Sequence, residues 1–373
     1  MTLFDGGGDL ARERPARTSR RRRIGWLVLG GGIVASVVLA MLPAPYVIEQ
    51  PGPVFDTLGS ASGSDGTPLI EIPDEKTYPT EGSLDLLTVS VLGSPTSLPS
   101  WAEVATAWFD PSRAVVPVEA VYPSGTTTDE VNEQNRIEMQ NSQQNAIAAA
   151  LTELGRPFSS TLTVAGLISG SPSAGLLQVG DEIVSLNGAP VDDVAELQDA
   201  IRRNGAGTPA EVGILRSGSP STVPVTPVLS QSGGQTAPVL GILVGTEYDF
   251  PFTVTIQLND VGGPSAGMMF ALGIIDKLTP GALTGGERVA GTGTITAQGE
   301  VGAIGGIRQK MYGAQRAGAR YFLAPEANCD EVASHVPSGL TVVAVKTLAD
   351  SLTALGDIAA GTGVDRLPAC TAR

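Results

Sequence analysis

The chain has 373 residues, of which 42% are hydrophobic, enough for an anchor and two or three compact domains; nothing in it points to wholesale disorder. Its net charge of −15 is unevenly spread. Residues 1–23 carry seven arginines against Asp5, Asp9 and Glu13, a net +4, which leaves −19 for the rest; so acidic a body excludes nucleic acid as a partner.

Ile24 to Leu42 is a 19-residue run whose one clearly polar side chain is Ser36. As a helix it spans about 30 Å, the thickness of a hydrocarbon core. It is longer than a usual signal-peptide core, and Pro43-Ala44-Pro45 supplies no small-x-small cleavage site, so an uncleaved anchor over 24–45 is expected. Arginines flank its N-terminal end alone. The positive-inside rule therefore puts the basic tail in the cytoplasm and residues 46–373 outside, in a single-pass topology. Cys329 and Cys370 then lie in an oxidising space, where a disulfide pinning the tail 361–373 is favoured over two free thiols. Two cysteines and one histidine are too few for a zinc site, and no cofactor is expected.

Between 46 and 158, short strands are predicted at Leu69–Ile72 and Leu84–Leu92. Trp101 and Trp108 sit on a short helix, read as packing anchors. Asp129 to Leu154 is a polar helix whose weakly apolar stripe is Ile137, Asn141, Gln144, Ala148 and Leu151, with no functional role required. From Thr161 the pattern turns to short strands: Leu162–Ile168, then Ser169-Gly170-Ser171-Pro172-Ser173-Ala174-Gly175-Leu176, Gly180-Asp181-Glu182-Ile183 and Asn187-Gly188, a helix from Asp193 to Arg203 and a strand over Glu211–Leu215. The order of these small motifs resembles a bacterial PDZ domain, assigned to 159–230. Such domains take up extended or C-terminal peptides at a sheet edge, here with Val164 to Ile168 as the candidate edge. A Ser/Gly/Thr-rich linker near Ser230–Gln235 follows, then buried strands at Val239–Val244 and Phe252–Leu258 and an α/β alternation over 236–360.

The densest chemistry is Asn259-Asp260-Val261-Gly262-Gly263-Pro264-Ser265-Ala266-Gly267, where a strand enters a glycine turn and an apolar helix leaves. Glycines let a substrate approach the backbone, and amides at the helix start can stabilise an oxyanion; a serine that merely caps the turn is the plain alternative. The serine needs a base. His335, the sole histidine, sits at the end of a short helix and is read as a surface or packed residue. Among the four lysines, Lys277 ends a helix and Lys346 lies in a strand, whereas Lys310 follows Ile304-Gly305-Gly306-Ile307 on the first turn of a helix. There the helix dipole and apolar neighbours both lower its pKa. An ordinary lysine is neutral in about one molecule in 2500 at pH 7, so such lowering is what a lysine base requires.

Gly263-Pro264-Ser265-Ala266-Gly267 and Ile304-Gly305-Gly306…Lys310 together resemble the proteolytic domain of Lon proteases. That resemblance implies a Ser265–Lys310 dyad forming an acyl-enzyme, with Thr292 beside the lysine and Gly263 and Pro264 shaping the nucleophile turn. No Gly-x-x-x-x-Gly-Lys-Ser/Thr loop occurs, so an ATP-independent endopeptidase is expected. The order of anchor, PDZ and Lon-type domain resembles the YlbL-type proteases of Gram-positive bacteria and implies an α+β multidomain chain acting on unfolded or exported polypeptides. Lon-type domains often assemble into rings, which leaves a homo-oligomer open. The alternatives are a non-catalytic PDZ adaptor or sensor on a Lon-like fold and, ranked lower, a tail-specific protease.

Overall fold

The computed structural model describes residues 20–61, 66–123, 127–168, 170–191, 194–232, 235–258 and 261–371. The arginines at 12, 14 and 17, Ser169, Asp193, Gly233-Gly234 and Asn259-Asp260 lie outside them. The described chain divides into two units, 1–50 with 91–128, and 51–90 with 129–373; the border falls within the strands Tyr46–Asp56 and Ser83–Leu92.

In the first unit the apolar run is helical from Arg20 to Met41, and no side chain of Ile24–Met41 is buried. Residues 46–49 pair antiparallel with Ala114–Pro117. A short helix, Trp101–Trp108, is started by a capping box in which the Ser100 hydroxyl accepts from the Glu103 amide and the Glu103 carboxylate accepts from the Ser100 amide. It buries Val104 and Ala107 against Ala44 and Ile48. The tryptophans are not the anchors that were expected. Trp108 is 61% exposed, and Trp101, 38% exposed, touches only the edge of this core by an edge-on contact with Tyr46. The buried positions of this helix are Val104 and Ala107, and Trp108 is its last residue.

The second unit holds two cores. The larger is built on a sheet in the order Thr341–Val345, Tyr321–Pro325, Arg288–Gly291, 83–90 and 51–56, with the first four strands parallel. Alternation along each strand feeds both faces. Leu84, Leu86, Val289, Tyr321 and Leu323 pack under the helices Thr128–Glu153, Gly267–Leu278 and Leu348–Ala360. Leu87, Ala290, Phe322 and Ala324 pack against the helix Ile307–Arg316 and the turn Cys329–Val332. A parallel sheet covered on both faces explains the nearly continuous apolar strands. The expected segments 46–158 and 236–360 thus share one sheet and one core. The strand expected over Phe252–Leu258 shrinks to Thr255–Ile256, which pairs with Ile70–Glu71.

Between those segments, 159–249 forms the second core, with strands in the order Ile242–Asp249, Ser159–Leu167, Glu182–Leu186, Ala210–Arg216, Ser219–Val225 and the helix Val194–Asn204. Asp181, 1% exposed, receives two hydrogen bonds of 2.7 Å from the Arg216 guanidinium and one from the Gln178 amide. The Arg216 bonds foremost hold its carboxyl below the usual range. The border expected near 236 falls inside this sheet, because Ile242–Asp249 pairs along the whole of Ser159–Leu167. Of the linker expected at Ser230–Gln235, Ser230, Gln231, Ser232 and Gln235 are instead paired strand residues of a hairpin, Val228–Ser232 with Gln235–Val239.

Cys329 and Cys370 form a disulfide, and the Ala344 amide donates to Pro368 O, so the C-terminal tail is fastened along the sheet's Thr341–Val345 edge. The bridge closes a loop of 41 residues and contributes about 2–4 kcal/mol by restricting the unfolded chain. Reductant is expected to lower the calorimetric melting temperature of the parent to that of Cys370→Ser, and to leave the variant unmoved.

Candidate active site

Ser265 and Lys310 arrive from opposite faces of the parallel sheet. Ser265 immediately precedes the helix Gly267–Leu278, in which every residue but Lys277 is buried. Gly263 has φ of 86°, a left-handed turn that a side chain would strain. The turn is held by the helix Thr128–Glu153. Asn135 O accepts from the Gly263 amide at 2.8 Å, and the Ser142 hydroxyl donates to Pro264 O at 2.8 Å. That helix buries Met139, Ser142 and residues 146–151, so Ala148 and Leu151 of the expected stripe are buried while its Ile137, Asn141 and Gln144 are exposed. Small residues rather than apolar ones let the helix approach, so an apolar-periodicity reading misses the face and its role.

Lys310 sits in the helix Ile307–Arg316, which starts at Gly306 in a left-handed conformation with φ of 67°. A side chain on Gly306 would also come within 2.7 Å of Val89 Cγ2, so the glycine brings the helix start close to the Ser83–Leu92 strand. Lys310 is 2% exposed. Its Nζ lies 2.6 Å from Ser265 Oγ and 3.0 Å from Thr292 Oγ1. Burial pushes the amine down to about 7.

Thr292 follows the Arg288–Gly291 strand and ties the two halves together. Its hydroxyl donates to Ser265 O at 2.9 Å and so presents a lone pair to Lys310, while the Gly293 amide donates to the same Ser265 carbonyl at 2.9 Å. The threonine thereby fixes both the serine backbone and the amine's rotation. The other titratable candidates lie elsewhere. His335 Nδ1 contacts Glu331 O and Ser334 Oγ, and Lys346 pairs with Glu326 at 3.1 Å. Lys277 is lowered chiefly by burial but faces Asp276 and Asp56.

Ser265 and Lys310 open on a cleft of about 740 Å³ lined by Phe55, Leu86, Met139, Leu258 and Val261. Pairing of the Ser83–Leu92 strand with Arg288–Gly291 ends at Leu86, and residues 87–90 continue along the cleft wall. A second groove, of about 450 Å³, runs between the helix Val194–Asn204 and the strand Ile242–Asp249, and is closed on its far side by Asn141, Asn145 and Thr296–Gln298. Ile242–Asp249 is the outermost strand of its sheet. The candidate edge Val164 to Ile168 is therefore displaced, because Ser159–Leu167 is flanked by strands on both sides. The true edge lies more than 70 residues further along the chain, beyond the reach of a local reading.

Residues 259–355 match the Lon protease (S16) C-terminal proteolytic domain, and residues 136–226 match the PDZ domain family. The Lon protease of Magnetococcus marinus is 41% identical over 24% of this chain and 11% of its own length. That of Geobacter metallireducens is 39% identical over 28% and 13%, and Lon protease 2 of Herpetosiphon aurantiacus 43% over 24% and 11%. The chain thus spans little more than a tenth of these relatives. The PDZ domain of an SdrC-like protein from Listeria monocytogenes is 19% identical, covering 22% of this chain and 85% of that one at a TM-score of 0.21. With a glycine turn bearing Ser265, a buried amine beside it and a PDZ-type segment in one chain, the protein carries a Lon-type (S16) C-terminal proteolytic domain together with a PDZ domain.

Proposed function

We propose that the protein is an ATP-independent serine endopeptidase that cleaves unfolded or exported polypeptides with Ser265 as nucleophile and Lys310 as base. The observation that carries this reading is the 2.6 Å approach of a buried, charge-depleted amine to a half-buried serine hydroxyl. Neutral Lys310 takes the Ser265 proton as Oγ attacks the scissile carbonyl, and the resulting ammonium protonates the leaving amine. Water, deprotonated by the same amine, then releases the acyl group from Ser265.

The strand residues 87–90 along the cleft suit an extended substrate, which supports unfolded segments over folded ones. The 159–249 segment is the PDZ module, carried between two stretches of the proteolytic fold, with Ile242–Asp249 as its peptide-receiving edge. The helix Arg20–Met41 anchors the chain in the cytoplasmic membrane, with the N-terminus inside and the protease outside.

Ser265→Ala and Lys310→Ala are each expected to reduce cleavage of an unfolded test protein, without ATP, by at least about a thousandfold, with circular dichroism unchanged. Parent-like cleavage by both variants would refute the dyad. The base must be neutral, so in the parent kcat/KM is expected to rise tenfold per pH unit below about 7 and to level off above it. A profile flat from pH 5.5 to 8.5 would contradict a lysine base.

A further inference from the structure

The helix Trp101–Trp108 carries its largest side chains away from its core. Trp108 is 61% exposed and Phe109, at the helix end, 89% exposed, while the small Val104 and Ala107 fill the inside. These aromatics are tied to the end of the apolar helix Arg20–Met41. The Trp101 amide donates to Leu42 O at 3.1 Å, the Ala44 amide donates to Pro99 O at 2.8 Å, and Pro43 and Ser100 form an antiparallel bridge. Leu42 and Met41 are themselves 46% and 73% exposed. The start of the short helix that carries Trp108 and Phe109 is thus hydrogen-bonded to the residues at which the apolar run stops, where a bilayer passes from acyl chains to headgroups.

We propose that the Trp101–Phe109 face is a lipid-interface seat: Trp108 and Phe109 enter the headgroup–acyl boundary on the side where the anchor helix emerges, and hold the chain that leaves the anchor against the membrane. The proposal rests on the reading of Arg20–Met41 as a membrane span. Tryptophan favours this zone because its ring is apolar and its N–H keeps a polar partner. The helix itself has no lysine or arginine, and the nearby Arg113 is paired with Asp110 at 3.2 Å. The attraction is therefore aromatic rather than ionic, and neutral lipid suffices. A soluble partner or a second copy of this chain are the rival occupants. Neither accounts for the covalent and hydrogen-bonded continuity with the anchor.

The test uses the full chain in phosphatidylcholine vesicles carrying a bromine quencher at a shallow or a deep acyl position. The protein has three tryptophans, Trp26, Trp101 and Trp108, so Trp26→Phe with Trp101→Phe leaves Trp108 as sole emitter, and Trp101→Phe with Trp108→Phe leaves Trp26. Trp108 emission is expected to shift to the blue on reconstitution and to be quenched most by the shallow label, equally with and without anionic lipid. Trp26, in the span, is expected to be quenched by lipid bromine in its own background. If Trp26 is quenched while Trp108 keeps the emission of a water-exposed indole, the interface seat is overturned and the span stands. A blue-shifted Trp108 that no lipid label quenches means that protein covers the face, which also overturns the proposal. If neither tryptophan responds to any label, the span and the seat fall together.

Discussion

A lysine amine stripped of water and held against a serine hydroxyl is the constraint around which this protein is organised. Burying Lys310 to 2% exposure is costly. Between about pH 7 and 10.4 the unfolded chain holds a proton that the folded chain has released, so the site subtracts several kcal/mol from stability at neutral pH. That deficit is offset by the two-sided packing of the parallel sheet, where side chains such as Phe270 and Phe322 are wholly buried and each contributes about 1.5–3 kcal/mol. Stability is surrendered at one point, and the amine there is left largely without its ordinary charge near neutrality.

The geometry follows from the layered fold. Serine and lysine stand at the N-terminal ends of helices on opposite faces of one sheet, and they meet beyond the carboxyl end of the Arg288–Gly291 strand, the usual place for a site in an open α/β sheet. Thr292, the first residue past that strand, clasps both. Behind Ser265, the Thr128–Glu153 helix closes the turn through Asn135 and Ser142. The site thus draws on sequence from both sides of the PDZ-type segment. A groove at that segment's outer strand is walled by Asn141 and Asn145 of the helix that holds the Ser265 turn.

What could be read from the sequence was what is written locally. Ser265 and Lys310 are legible because glycine turns and an apolar helix surround them within a few residues, and Thr292 because it stands in a short motif. The apolar helix Arg20–Met41 is a composition signal, and the bridge joins the sequence's two cysteines, Cys329 and Cys370. What escaped were partnerships across long separations. The edge role of Ile242–Asp249 depends on pairing with a strand some 80 residues earlier, and the sheet that joins 83–90 to Arg288–Gly291 spans some 200. Ser142 escaped because its packing face is made of small residues, which carry no hydrophobic period. Trp108 escaped because aromatic size was read as burial, whereas it stands at the end of its helix and is 61% exposed.

The charge on Lys310 is the most direct measurement. The chain has four lysines, so the ammonium nitrogen spectrum of 15N-lysine-labelled protein should be simple, and Lys310→Met identifies the signal that belongs to position 310. The account predicts that this nitrogen loses its proton with a midpoint near pH 7. Should the signal removed by Lys310→Met stay protonated to pH 10 in the folded protein, the amine is not a base at physiological pH and the catalytic reading fails.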